Sequence, residues 1–239
     1  MTPFPCLICG EDTLELVPGF EAFPRVTSDC RPWPPGGRMS VCHGCGAIQK
    51  IPDEKWTQEI GKIYAQYDIY HQSAGIEHAI FLSYGTALPR SRVLIDFVVE
   101  KGCWNIVEGA LIDIGCGNGV ALENFSKALP RWALDGFELS DKVLNNLKAI
   151  PGFRRLYTGS ITEILARYNL VSAIHALEHF PMPHQGLQDM MSLQNPEGQL
   201  LIEVPNIETS PFDLIVADHL LHFTTETLGY VVARAGLEV

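Results

Sequence analysis

No stretch of this chain reaches about 18 consecutive apolar residues, the length a helix needs to cross a bilayer, and nowhere do lysine and arginine form a run. The first absence excludes a membrane-spanning helix. The second matters because phosphate backbones are gripped by clustered cations that displace counterions. With 17 Lys and Arg against 28 Asp and Glu, the formal charge is -11, so neither nucleic acid nor membrane is expected as a partner. The opening Met1-Thr2-Pro3-Phe4-Pro5 has neither the basic start nor the apolar core of a secretory leader. Cysteines grouped in Cys-x-x-Cys pairs favour metal binding in a reducing compartment over disulfides. A cytoplasmic location is therefore expected.

What is present suffices for a folded core: 46% of the 239 residues are hydrophobic and 19% charged, which allows one large domain and one small one. The small one is marked by Cys6-x-x-Cys9-Gly10 and Cys42-x-x-Cys45-Gly46. Each unit can form a knuckle, its glycine releasing the turn, and the four thiolates together make the tetrahedral set that structural zinc prefers. The residues between them hold Pro18-Gly19, Pro32 and Pro34-Pro35-Gly36-Gly37, turn chemistry without helical periodicity. A zinc ribbon over residues 1–52 is expected, with Cys6, Cys9, Cys42 and Cys45 as ligands. The competing reading is four unrelated buried or redox cysteines. Cys30 and His43 are taken as spectators, and Cys103 and Cys116 as ordinary small core or loop residues.

Residues 53–103 read as a helical linker. Trp56, Ile60, Ile63 and Tyr67 recur at helical spacing. Tyr64, Tyr67, Tyr70, His71 and the segment 72–75 belong either to a packed connecting helix or to a lid over a ligand. A second helix from Pro89 to about Lys101 is expected to turn Val93, Leu94, Phe97 and Val98 to one face.

The stretch Leu111-Ile112-Asp113-Ile114-Gly115-Cys116-Gly117-Asn118-Gly119 reads as strand, tight loop and helix start. Glycines at alternate positions allow dihedrals closed to other residues and let a ligand approach the backbone. The spacing is not the dinucleotide fingerprint, because Val120 stands at its last glycine. Glu138 follows a second apolar run, where a carboxylate can accept from both hydroxyls of a ribose. Alternating strands and helices continue: a helix over about 119–129 stopped by Pro130, another capped by Ser140 with Val143, Leu144 and Leu147 inward, and a strand at 153–158. Further strands end near His175 and Glu203, and a helix from about Thr224 has Gly236 as its C-cap. This order implies an α/β fold with a parallel sheet.

Leu111–Gly119, Phe137–Ser140, Asn169–His179 and Gly198–Asn206 resemble, in order, four motifs of the class I S-adenosylmethionine-dependent methyltransferases. The resemblance implies a Rossmann-like methyltransferase domain over residues 104–239, expected to be incomplete because the resembled fold continues through a sixth and a seventh strand. It implies S-adenosylmethionine as cofactor beside zinc. Its expected contacts are Asp113, Gly115, Cys116, Gly117, Gly119, Glu138 and Leu139, with Gly159, Ser160 and Ile161 near the adenine and His175 at the strand end. The partner would be a small-molecule acceptor, and the sequence leaves the oligomeric state open.

A proton on the acceptor needs a base, and histidine suits neutral pH. His175, His179, His219 and the more peripheral His222 are the candidates, with His219 and His179 named as catalytic. The zinc ribbon, Cys45-Gly46-Ala47-Ile48-Gln49 and the Glu203–Leu220 segment resemble the sugar C-methyltransferases, which implies C-methylation of a nucleotide-linked keto sugar with His219 as base. Val216 stands where that subfamily has a tyrosine. Other readings are O-methylation of another metabolite, methylation of RNA, and a non-catalytic binding protein. Five basic against eight acidic residues in positions 1–60 argue against RNA.

Overall fold

The computed structural model describes residues 4–66, 79–81, 85–101 and 107–238. In chain order these form β1 (Leu14–Leu16), β2 (Arg25–Val26), β3 (Pro32–Trp33), β4 (Met39–Cys42), β5 (Ile48–Lys50) and α1 (Glu54–Ala65). Next come β6 (Ala79–Phe81), β7 (Ala87–Pro89), α2 (Arg90–Glu100), β8 (Ala110–Ile114), α3 (Val120–Ala128), β9 (Ala133–Phe137) and α4 (Leu144–Leu147). The remainder is β10 (Phe153–Tyr157), β11 (Tyr168–Ile174), α5 (Pro183–Ser192), β12 (Gln194–Glu203), β13 (Leu221–His222) and α6 (Thr225–Arg234). Tyr67, Tyr70, His71, residues 72–75 and Cys103 lie outside the described residues. No helix among them is long and apolar enough to cross a membrane.

Two compact units share the chain. One takes Met1–Ile69, His175–Gln188 and Glu203–Val239, the other Tyr70–Ile174 and Asp189–Ile202.

The second unit holds the expected Rossmann-like sheet, in the order β10-β9-β8-β11-β12. The pairings β10/β9, β9/β8 and β8/β11 are parallel, with Leu111 opposite both Leu134 and Leu170. β8 lies centrally because its residues are apolar toward both faces: Leu111, Ile112 and Ile114 are all buried. Leu122 and Phe125 of α3 pack with Trp132, Leu134, Leu147 and Leu170 into one core, each such side chain contributing roughly 1.5–3 kcal/mol on burial. β12 begins at Gln194, earlier than the expected Gly198, and includes Pro196. An edge position tolerates a residue that cannot donate to the ladder.

Two local expectations fail here. α2 buries Ser91 and Ile95, while Phe97, expected inward, is 56% exposed. Ser91 meets Asn124 of α3, so a polar contact fixes the helix rotation that apolar periodicity misassigned. The helix after β9 is a single turn, preceded by Val143 and not capped by Ser140.

In the first unit, β1, β4, β5 and β13 form an antiparallel sheet in that order. β13 brings residues near the end of the chain beside the cysteine segment, Leu221 opposite Gln49 and His222 opposite Ile48. α1 starts on Asp53, whose side chain accepts from the Trp56 amide at 2.8 Å. Its Ile60 and Ile63 pack on Ala217, with Trp56 and Tyr64 alongside. The buried Arg25 donates to both Glu59 oxygens, at 2.8 and 2.6 Å, and to Pro34 O. Gly36 and Gly37 lie against that guanidinium, where a Cβ would come within 3.0 Å. α6 opens on a Thr224–Thr227 capping box, and Gly236, at φ +85°, follows its last turn.

Candidate functional site

In the second unit the chain leaves β8 through Gly115, Gly117 and Gly119, at φ +74°, +50° and +91°. The amides of Gly115 and Cys116 both donate to Phe137 O, which pins the loop to the end of β9. Glu138 comes next. Its Oε2 accepts from the Gly117 amide at 3.0 Å and its Oε1 from the Leu139 amide at 2.8 Å. The carboxylate is thus fixed before any ligand arrives, and each oxygen keeps acceptor capacity.

The neighbouring positions serve different ends. Asp113 is buried in the sheet and accepts from Ser172 Oγ at 2.6 Å. Burial pushes its carboxyl up to about 7, against the Ser172 hydrogen bond and with the charge of Glu138 adding to the rise. The Cys116 side chain is buried in the core, where a Cβ on Gly136 would stand 2.7 Å from its Sγ. At Gly119 a Cβ would meet Leu147 at 2.5 Å and Ile150 at 2.7 Å. Gly119→Ala, strained at φ +91° and overpacked, is expected to cost about 2–4 kcal/mol in a urea titration. Leu139 is exposed. Gly159 is left-handed, Ser160 caps the short turn Ile161–Glu163 through the Thr162 amide, and the Ile161 side chain is buried.

In the first unit the four expected cysteines converge. Their sulfurs lie within 4.8 Å of one another, Cys9 to Cys42 at 3.5 Å and Cys6 to Cys45 at 3.6 Å. Gly10 and Gly46 take positive φ, and their amides turn back to the carbonyls of Cys6 and Cys42. This is the closed all-thiolate set that suits zinc. His43 pairs instead with Glu15, and Cys30 is exposed outside the cluster.

A second constellation in the same unit is made of histidines. Asp213 accepts from His219 Nδ1 at 2.6 Å and from His222 Nδ1 at 2.7 Å. Burial would raise its carboxyl, but the two imidazoles hold it well below the usual range. Lys50 of β5 is fully buried and donates to Val216 O at 2.5 Å, His219 O at 2.8 Å and His222 Nε2 at 3.0 Å, three acceptors for one ammonium. Burial pushes Lys50 down to about 7, opposed by Asp213 and Asp218. Burial and the Lys50 charge push His222 down to about 3, leaving a neutral ring that donates through Nδ1 and accepts through Nε2. His222 is therefore a structural link and not an available base.

His219 and His179 stand edge to face, ring centroids 4.8 Å apart. His179 Nδ1 lies 3.0 Å from both Tyr64 Oη and Asp218 O. Burial lowers His179; it also opposes protonation of His219, but the Asp213 hydrogen bond and the charges of Glu178 and Asp218 raise His219 above the ordinary imidazole value. Glu178 is wholly buried with neither oxygen hydrogen-bonded. His175, left-handed at φ +53°, sits 3.4 Å from Glu178 and 3.8 Å from Glu203. Asp218 accepts from Ser28, N–H at 2.8 Å and Oγ at 2.5 Å, with its Oδ2 4.0 Å from His179 Nδ1.

Lys50 and Asp213 were not marked as site residues by sequence, whereas Tyr64 was read as either a packed helix residue or part of a lid. Lys50 and Asp213 carried no signal, because their partners lie far along the chain.

Residues 88–239 match the family model described as a methyltransferase domain. An O-methyltransferase family protein from Burkholderia thailandensis superposes with a TM-score of 0.51 at 19% identity, over 62% of this chain and 51% of its own. Coclaurine N-methyltransferase bound to N-methylheliamine and SAH superposes with a TM-score of 0.54 at 13% identity, over 76% of this chain and 64% of its own. This chain thus spans about half of the first relative and under two thirds of the second. At these identities the likeness is one of fold. No curated protein matches the sequence. The family match takes in all five strands of the parallel sheet and more than half of the residues, and the chain belongs to the methyltransferase-domain family.

Proposed function

We propose that this protein is an S-adenosylmethionine-dependent methyltransferase acting on a small molecule. The observation that carries the reading is Glu138, held by the Gly117 and Leu139 amides at the mouth of the glycine loop with free acceptor capacity on both oxygens. That arrangement fits a ribose diol. Gly115 and Gly117 leave the backbone open to close approach, and the Gly159–Ile161 turn is assigned to the adenine. Asp113, at the end of β8, and His175 are assigned to the donor side. When bound, S-adenosylmethionine supplies a methyl group already activated by the sulfonium charge, so the protein's main task is holding reactants in register.

On the acceptor side His219 is proposed to take the proton. Asp213 holds its Nδ1–H and so leaves Nε2 as the basic atom. His179 stands ready against the same ring. The finer reading, C-methylation of a nucleotide-linked keto sugar, rests on the resemblance of the 45–49 and 203–220 segments. In it the subfamily's tyrosine position is held by Val216, so no hydroxyl there can assist. O-methylation of another metabolite would use the same base. Zinc is proposed at Cys6, Cys9, Cys42 and Cys45 as a structural ion.

The test is calorimetric titration of the full chain with S-adenosylmethionine and with its demethylated product. Saturable binding is expected, weakened at least tenfold in Glu138→Ala. Unchanged affinity in that variant would remove the ribose assignment, and the absence of binding by folded, zinc-loaded protein would remove the enzymatic reading.

A further inference from the structure

We propose that Glu178, His179 and His219 form a second metal site, one that takes a divalent transition-metal ion through nitrogen and oxygen ligands. One ligand atom from each residue lies within 4.8 Å of the other two. Proximity is not the main argument. Glu178 is 0% exposed and neither of its oxygens has a hydrogen-bond partner, although His175 Nδ1 stands 3.4 Å from Oε1. A carboxylate removed from water, with histidines around it but no hydrogen bond completed to either oxygen, is costly for a fold to hold. A cation at the cluster removes that cost.

The imidazoles are oriented for the same purpose. Metal-bound histidines hand their second ring N–H to a carboxylate or a backbone carbonyl, which fixes tautomer and ring plane. His219 gives Nδ1–H to Asp213 at 2.6 Å, and His179 Nδ1 lies 3.0 Å from the Asp218 carbonyl. Each ring therefore presents Nε2, and no hydrogen bond to either Nε2 occurs among the described residues. Asp213 and the Asp218 carbonyl are the outer partners that such a site requires.

Two imidazoles and one carboxylate select zinc, iron(II), cobalt(II) or nickel(II) over magnesium and calcium, which prefer oxygen alone. Three protein ligands leave coordination positions open. The ion would use the Nε2 lone pair assigned above to proton removal, so metal and acceptor proton compete for His219. The site itself is read from its ligand set and stands whether or not methyl transfer occurs.

The probe is cobalt(II) alone, titrated by calorimetry and visible spectroscopy into full-length protein whose cysteine cluster has first been filled with zinc. One further equivalent per chain is expected, giving visible ligand-field bands without thiolate charge-transfer absorption. Glu178→Gln and His219→Ala should each weaken it at least tenfold, and Asp213→Asn by 10–100-fold through the outer sphere. Retained zinc and an unchanged far-ultraviolet spectrum establish that these variants are folded, and Glu178→Gln preserves side-chain size. The proposal is overturned if no cobalt binds beyond the cysteine equivalent, if Glu178→Gln binds as wild type does, or if Cys42→Ser is what abolishes the signal. Failure of donor binding is read separately, in the Glu138 titration.

Discussion

Asp213→Ala is expected to destabilise the first unit by about 3–5 kcal/mol, the range for removing one member of a buried charged network. Asp213 is the carboxylate that accepts from His219 and His222, and its charge offsets that of the fully buried Lys50. Without it an ammonium and two imidazole N–H groups lose their counterpart in a place water does not reach. Lys50→Met should also be costly, for a complementary reason: it strands the carbonyls of Val216 and His219 and the Nε2 of His222, three buried acceptors. Combining Asp213→Ala with Lys50→Met removes both charges. The double variant should then lose less than the sum of the single losses, with a coupling of about 0.5–3 kcal/mol. Urea midpoints of the four proteins measure this. Strict additivity would show that Lys50 and Asp213 do not act as a unit.

That network also shows where reading the chain succeeds and where it stops. Leu111–Gly119, Glu138 and the four cysteines were legible because each is a local pattern whose meaning is set within a few residues: an apolar run ending in glycines, or a pair of thiols two residues apart. The parallel sheet followed from alternation. The rotation of α2 was misread because the Ser91–Asn124 contact, invisible to a periodicity count, decides which face turns inward. The packing of Leu147 and Ile150 against Gly119, which leaves no room for a Cβ, is likewise invisible in the glycine spacing. The pairing of β13 with β5 joins residues more than 170 positions apart through two residue pairs, and nothing in Leu221-His222 announces it. Lys50 enters the sequence reading only as one of the basic residues of positions 1–60. Only the return of 216–222 over β5 makes it a buried cation, and with it turns His222 from a candidate base into a link.

Raising the pH from about 4 to 7 is expected to weaken the second unit, through Asp113. An unfolded aspartate titrates near 3.9, while burial within the sheet, opposed by Ser172 and reinforced by Glu138, holds the folded carboxyl at about 7. Between those values the folded state keeps a proton that the unfolded state has released. Stability then falls as pH rises, because fewer protons are bound after unfolding than before. The full effect of a shift from about 4 to about 7 is on the order of 4 kcal/mol, reached above pH 7 and absent below pH 4. Asp113→Asn keeps the shape and can still accept from Ser172, but cannot ionise. It should flatten this part of the profile and be the more stable protein at pH 8, provided its amide finds an acceptor. The check is a series of urea titrations between pH 4 and 8 on both proteins, with fluorescence of the buried Trp132 reporting the second unit. Parallel profiles would mean that Asp113 is already ionised in the fold, its charge met by the loop amides, and would place the carboxylate among the direct supports of the donor.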